Sequence, residues 1–308
     1  MSGAYTLGKL RHLTRCSTQS GHFVVLAIDH RANLRALLEP ISDEGFRQFK
    51  ADVIGAAEGL VSGVLTDPAY GLGPLLARGS FAGGLLAPLE VTDYDVHPSQ
   101  RELDFIPNWS VSRLQRVGGD GAKLLLPFHP QLPSAAAKRE SVARIVEECA
   151  ACELPFFLEP IACSLRPEER LTGEQQRVIT LEMVDEFCAL GVDVLKLQLP
   201  AAEEQWEATC RGLAQRCTVP WALLSGGVDF PTYCRQTEVA CAYGASGVIV
   251  GRAVWSEATS LGSAERSRFL ASVVPERLAR LGEIVFVRAA PWRNRVSISE
   301  PSLTWYEA

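Results

Sequence analysis

The chain has 308 residues, a formal net charge of -6 and 47% hydrophobic residues, enough apolar content for one large core or two modest ones. The acidic balance, with no basic stripe, argues against a nucleic-acid partner; no stretch reaches the roughly 20 apolar residues of a membrane span; and the start, MSGAYTLGKLRHLTRC, lacks the apolar run of a signal peptide. Nine cysteines, an odd number in a large chain, read as reduced thiols in a cytoplasm.

An N-terminal segment (1–22) precedes the first of eight short apolar runs of β-type composition, FVVLAIDH (23–30). Next, SDEGFRQFKADVIGAAEGL opens on Ser42 as a helix cap and carries Phe46, Phe49, Val53 and Ile54 at helical spacing. GVLTDP (63–68) and GGLLAPL (83–89) are the second and third runs. Residues 90–120 make a longer connection than a simple turn and predict extra local structure. GAKLLLPF (121–128), PFFLEPI (155–161), DVLKLQLP (193–200), WALLSGG (221–227) and GVIVGRA (247–253) complete the eight, with a helical pattern before each of the last four. SISEPSLTWYEA (297–308) reads as a tail. Near-continuous hydrophobicity suits strands covered on both faces, as in a parallel sheet. Eight such strands, mostly alternating with helices, predict an α/β fold: a single (β/α)8 TIM barrel spanning 1–308. The rival, an open doubly wound sheet, would show a glycine-rich turn after its first strand, and AIDHRANL has none.

Such a barrel carries its active site at the carboxyl ends of its strands, and polar residues collect there. Asp29, His30 and Arg31 end the first run and Asp67 the second. Lys123 lies on the fourth, Glu159 on the fifth, and Lys196 with Gln198 on the sixth. Side chains two apart share a face, so Leu195, Leu197 and Leu199 meet the helices while Val194, Lys196 and Gln198 point inward. Glu159 points inward with Phe157 by the same rule. Burial and a second nearby cation lower a lysine's proton affinity. A neutral amine adds to a carbonyl to form a Schiff base, and a carboxyl in the same cavity can carry the protons. Lys196, Lys123 and Glu159 supply those parts on three consecutive strands. The other reading is a buried Lys196–Glu159 ion pair with Lys123 as a phosphate ligand or rim residue, although buried pairs stabilise poorly against an apolar alternative.

Glycine turns in LLSGGVD and GASGVIVGRAVW expose backbone N–H groups suited to a phosphate. With the forked donors of Arg252 beside them, Ser225, Gly226, Gly227, Gly251 and Arg252 form a candidate anion site, or else ordinary tight turns. Asp67 in TDPAYG is either catalytic or part of a turn. The five histidines (His12, His22, His30, His97, His129) form no H-x-x-x-H or H-x-H pair, and Cys149 and Cys152 of CAAC have no second pair to complete a zinc set. No metal and no cofactor are expected.

The pieces LAIDHRANLRALL, LTDPAYGL, GAKLLLPF, PFFLEPI, DVLKLQLP, PWALLSGGVD, GASGVIVGRAVW and PWRNRV stand in an order that resembles the class I tagatose 1,6-bisphosphate aldolases and the related sulfofructose 1-phosphate aldolases. The resemblance spans nearly the whole chain. It implies a metal-independent lyase that splits a phosphorylated ketose into dihydroxyacetone phosphate and an aldehyde. Lys196 matches the family's Schiff-base lysine, Glu159 its acid/base carboxylate and Lys123 a second lysine of the pocket. Asp29 matches an aspartate that meets substrate hydroxyls; Ser225, Gly226, Gly251 and Arg252 match the phosphate site of the dihydroxyacetone half. Two positions depart from the pattern. His30 stands where these enzymes usually have glutamine, a position that faces substrate, and Gln198 stands where they have glutamate, which removes a charge beside Lys196. With Arg31 and Gly227, these residues complete the expected substrate-binding set. The motifs of the first two strands look more like the tagatose enzymes, and those of the last two at least as much like the sulfosugar enzymes. A transaldolase-like transferase and a non-catalytic sugar-phosphate-binding barrel are the alternatives. The expected setting is a cytoplasmic homo-oligomer with no nucleic-acid or membrane partner.

Overall fold

Each of the eight apolar runs forms one strand of a closed parallel barrel in the computed structural model, which describes residues 5–79, 81–91, 95–298 and 303–304. The barrel strands are β1 (Phe23–Ile28), β2 (Gly63–Thr66), β3 (Gly84–Pro88), β4 (Gly121–Phe128), β5 (Phe156–Ala162), β6 (Val194–Leu197), β7 (Trp221–Leu223) and β8 (Gly247–Val250). They pair in sequence order, and β8 closes on β1. The helices are α1 (Leu7–Arg15), α2 (Ala32–Leu38), α3 (Asp43–Ala56), α4 (Gly73–Arg78), α5 (Val111–Arg116), α6 (Ala135–Ala151), α7 (Gly173–Ala189), α8 (Trp206–Arg216), α9 (Phe230–Ala242), α10 (Arg252–Trp255) and α11 (Ser263–Arg288). The extra structure expected over 90–120 is a small antiparallel pair, Glu90–Val91 with Asp104–Phe105, followed by α5. Of the tail expected over 297–308, residues 299–302 and 305–308 lie outside the described residues. No helix among the described residues is long and apolar enough to cross a membrane.

Strand alternation divides the apolar residues into two clusters, as a barrel requires. Phe23, Val25, Ala27, Leu65, Leu86, Phe157, Val194, Ala222 and Ile249 fill the interior. Val24, Leu26, Leu124, Leu158, Leu195 and Val248 face outward and pack with the surrounding helices. Phe23 and Phe157 meet edge to face inside, with ring centroids 6.0 Å apart, a geometry that contributes about 0.5–1.5 kcal/mol beyond burial. At the start of β8, Gly247 has φ +131, and a Cβ there would lie 2.0 Å from the carbonyl oxygen of Phe23. The barrel closes at that seam because no side chain intervenes.

Helix α1 is capped by the Thr6 side chain and forms the floor. Leu10, Leu13 and Cys16 pack into the interior cluster with Trp292. Two buried carboxylates latch it. Lys9 Nζ lies 2.9 and 2.7 Å from the oxygens of Asp193, just before β6; Asp193 Oδ2 also accepts from the Phe156 N–H at 2.9 Å. Arg15 Nε and His12 Nδ1 meet Asp120 Oδ1, just before β4, at 2.8 and 2.9 Å, and Asp120 Oδ2 accepts from the Leu85 N–H at 3.0 Å. All five lysines of the chain, Lys9, Lys50, Lys123, Lys138 and Lys196, are buried. Among the described residues the exposed basic side chains are arginines.

Candidate active site

Register brings three of the inward polar residues together. Phe157 is level with Val194 across β5 and β6, so Glu159 and Lys196, each two residues further, occupy the next inward layer. Lys123 on β4 is level with Phe157, one layer lower, and its long side chain reaches up to the same point. Lys196 Nζ donates to Glu159 Oε2 at 2.9 Å, and Lys123 Nζ lies 3.1 Å from that same oxygen. Lys123 also donates to Asp29 Oδ2 at 3.0 Å and to Glu90 Oε1 at 2.8 Å. All of these side chains are buried or nearly so.

The two lysines therefore differ. Lys196 has one carboxylate partner and shares it; Lys123 has three. Burial disfavours the Lys123 ammonium, but Asp29, Glu159 and Glu90 outweigh it and raise its proton affinity well above the ordinary lysine range. Burial likewise pushes the Glu159 carboxyl up, yet the charges of Lys123 and Lys196 hold it below its usual value. Asp29 is also held down against burial, by Lys123 and then Lys196. Glu90 goes the other way: burial raises it despite Lys123, and its Oε2 is buried without a hydrogen-bond partner among the described residues.

The remaining expected residues form two groups. His30 is mostly buried, with its ring edge-on to Trp255 at 5.4 Å and Nδ1 3.9 Å from Asp29 Oδ1, too far for a hydrogen bond. Burial lowers His30 to about 4; Asp29 opposes that shift, and the charges of Arg252, Lys196 and Lys50 reinforce it. The ring is therefore neutral at physiological pH. Across the mouth, Gly226 and Gly227 have φ +58 and +88, a left-handed turn open to glycine. The Gln198 amide lies so close to Gly226 that a Cβ there would sit 2.4 Å from its Nε2. The Arg252 guanidinium covers Gly227, 3.2 Å from where a Cβ would be. Arg252 is exposed and has no ion-pair partner among the described residues, while Ser225 and Gly251 are buried beside it. A Cβ on Gly251 would lie 3.4 Å from His30 Cε1 and 2.9 Å from Ala27 O, so the glycine lets β1 and β8 meet at the mouth. Arg31 turns elsewhere, donating to the carbonyl oxygen of Glu90, and so ties the end of β1 to the end of β3.

Asp67 belongs to the turn. Its Oδ1 accepts from the N–H groups of Ala69 and Tyr70 at 3.0 and 2.8 Å, and its Oδ2 pairs with Lys50. Cys149 is buried in α6, and burial pushes its thiol up.

Two residues of this cluster are absent from the sequence-based set. Glu90 stands two residues past the end of β3, so the rule that collected polar residues at strand ends reaches it as well. Lys50 stands four residues after Phe46 and four before Ile54, on the apolar stripe of α3, where a lysine is out of place in a surface helix.

A family model described as "DeoC/LacD family aldolase" matches residues 23–257. The chain is 30% identical to tagatose 1,6-diphosphate aldolase 2 of Enterococcus faecalis, over 96% of this chain and 98% of that protein. It is 28% identical to the tagatose 1,6-diphosphate aldolase of Listeria monocytogenes, over 93% and 94%. Among solved structures, an archaeal fructose 1,6-bisphosphate aldolase superposes with a TM-score of 0.64 at 16% identity, covering 91% of this chain and 99% of that one. The fructose-bisphosphate aldolase of Slackia heliotrinireducens gives 0.62 at 14% identity, covering 96% and 92%. At such identity these structures bear on the fold.

Proposed function

The chain belongs to the DeoC/LacD family of aldolases, and from that premise we propose that it is a metal-independent class I aldolase that splits a phosphorylated ketose, of the tagatose 1,6-bisphosphate type, through an imine on Lys196. The observation that carries this reading is the 2.9 Å contact between Lys196 Nζ and Glu159 Oε2 inside the barrel mouth. It joins an amine to a proton carrier within transfer distance. Lys123, held as a cation by three carboxylates, is a poor competitor for the nucleophile's role.

In the forward sense Lys196 passes a proton to Glu159 along their hydrogen bond, the freed amine adds to the ketose C2 carbonyl, and Glu159 hands that proton to the hydroxyl that leaves as water. The protonated imine draws electrons from the C3–C4 bond. Glu159, again a carboxylate, takes the C4 hydroxyl proton; the C3–C4 bond breaks, the aldehyde departs, and the electron pair forms an enamine. A proton returns to C3, and water releases dihydroxyacetone phosphate and free Lys196. Arg252, with Ser225 and the Gly226, Gly227 and Gly251 backbone, holds the phosphate of the retained half. Asp29 and His30 read substrate hydroxyls, with Gln198 lying between the lysine strand and the phosphate loop.

Borohydride reduction in the presence of dihydroxyacetone phosphate tests the reading. One triose phosphate attached at Lys196 is the expected result, and turnover should persist in EDTA. An adduct on Lys123 instead would exchange the two roles; no adduct on any lysine would favour a binding barrel. A panel of ketose phosphates, including a sulfonated one, identifies the aldehyde half, and release of free triose without an acceptor separates a lyase from a transferase. The proposed setting is a cytoplasmic homo-oligomer. Phe286 and Val287, exposed by 72% and 77% near the end of α11, support self-association, which light scattering would test.

A further inference from the structure

We propose that Lys50 is a positioning residue that sets the Asp29–His30 corner of the site through two backbone carbonyls. The inference rests on the reading of Asp29 and His30 as substrate-facing residues. Lys50 is fully buried on α3, with a relative exposure of 0%. An ammonium has three N–H donors, and each of the three from Lys50 has an acceptor. One goes to the carbonyl of Ile28 at 2.9 Å, one to the carbonyl of His30 at 2.7 Å, and one to the Asp67 carboxylate. The first two acceptors flank Asp29.

That placement matters because β1 ends at Ile28, and the corner beyond it makes the contacts of interest. Asp29 must point at Lys123, 3.0 Å away, and His30 must seat its ring against Trp255 and Gly251. Lys50 reaches the corner from behind, from the helix layer, and clamps the peptide on either side of it. Asp67 in turn is fixed by the N–H groups of Ala69 and Tyr70, so the clamp is anchored to the turn after β2. Neutralising Asp67 would need one contact. Two further contacts to carbonyls of a different strand give Lys50 its second role. A lysine serves here because its three donors diverge from one atom, whereas a guanidinium presents a flat fork.

The two halves of the arrangement can be separated by substitution. In Asp67→Asn the amide oxygen still accepts from Ala69 and Tyr70 while its NH2 faces Lys50, so the buried lysine gives up its proton, accepts from that NH2 and keeps its two remaining N–H donors on the two carbonyls. Lys50→Met removes the clamp and leaves Asp67 unpaired. Lys50→Met/Asp67→Asn removes the clamp without leaving a buried charge, and decides the matter should the single variant fail to fold. Two readouts are taken on each folded variant: kcat/KM for tagatose 1,6-bisphosphate cleavage, and amide hydrogen exchange over residues 28–31 relative to residues 24–26 of the same strand. Asp67→Asn should keep cleavage within about threefold, while the Lys50 variants lose about 10- to 100-fold, the scale of a displacement near 1 Å at a catalytic group. Exchange should rise over 28–31 and stay slow over 24–26. A double variant that matches Asp67→Asn in both readouts would overturn the proposal. Should the parent protein cleave no ketose phosphate, the aldolase reading fails, and the exchange comparison alone still decides whether Lys50 holds the corner.

Discussion

The two ends of the barrel use the same residue types in opposite ways. At the floor each buried carboxylate is fully matched: Asp193 takes Lys9 and the Phe156 N–H, and Asp120 takes Arg15, His12 and the Leu85 N–H. In the cluster around Lys123 and Lys196 at the mouth, partners are shared instead. A single Glu159 oxygen serves two lysines, Lys123 serves three carboxylates, and Glu90 Oε2 has no partner among the described residues. A saturated pair resists change because any rearrangement strands a buried charge. A shared oxygen can pass its proton or its partner at little cost. Under the proposed function, saturated groups support the fold and shared ones carry the chemistry.

The largest effect should come from Lys196. Lys196→Ala should lose the borohydride adduct and lower turnover by roughly 10³-fold or more while leaving the urea midpoint close to that of the parent. Lys196→Arg should fail equally, because a guanidinium keeps the charge without being a usable amine. Retained activity in either variant would remove Lys196 from the chemistry.

The converse experiment is at the floor. Lys9→Met leaves Asp193 buried without its cation, a change that costs about 3–5 kcal/mol, readable by urea unfolding. Its kcat/KM per folded molecule should stay within about threefold. An equal loss of activity would mean that the two ends are coupled and that the division drawn above is wrong.

His30 sharpens the contrast through pH. The unfolded chain takes up a proton near the ordinary histidine value of about 6.5, and folded His30 near 4. Its contribution is present in full above 6.5 and is lost as pH falls toward 4, by up to about 3 kcal/mol. His30→Gln should flatten that part of the Tm-versus-pH curve. An unchanged curve would show that the ring protonates in place.

Arg252 should give the smallest change. A charge-assisted hydrogen bond contributes about 1.5–3 kcal/mol, so Arg252→Ala should lower kcat/KM for a phosphorylated substrate roughly 10- to 150-fold. A dephosphorylated analogue should lose much less, and equal losses would make Arg252 structural.

The barrel strands were legible because each is a run of apolar residues bounded by turn signals, and their count and spacing point to closure. Lys196 and Glu159 were legible from alternation alone, since a period of two decides which face a side chain takes. Glu90 was passed over because it begins a segment with no periodic pattern, so neither face nor layer could be assigned to it. Lys50 was passed over because a helix stripe is scanned for apolar residues, and a lysine among them looks like noise. The floor was invisible for a different reason. Lys9 and Asp193 stand 184 positions apart, and nothing local to either residue names the other until the barrel has closed and α1 has crossed beneath it. Local pattern reports strands and faces; it does not report which distant charge answers which.

The burial of every lysine bears on chemical durability. A protein of the aldolase family meets reducing sugars and aldehydes, and any exposed ε-amino group is a place for slow glycation. Here the exposed strong cations are guanidinium groups, which do not condense with simple aldehydes as amines do. The ε-amino groups sit in the barrel mouth, beneath the floor helix or behind the strands, out of reach of bulk solutes except where a substrate is admitted. In practical terms, succinimidyl dyes and glutaraldehyde should find almost nothing on this surface beyond the chain's α-amino group, and reductive amination with a sugar should leave a nearly silent background against which a single labelled position stands out.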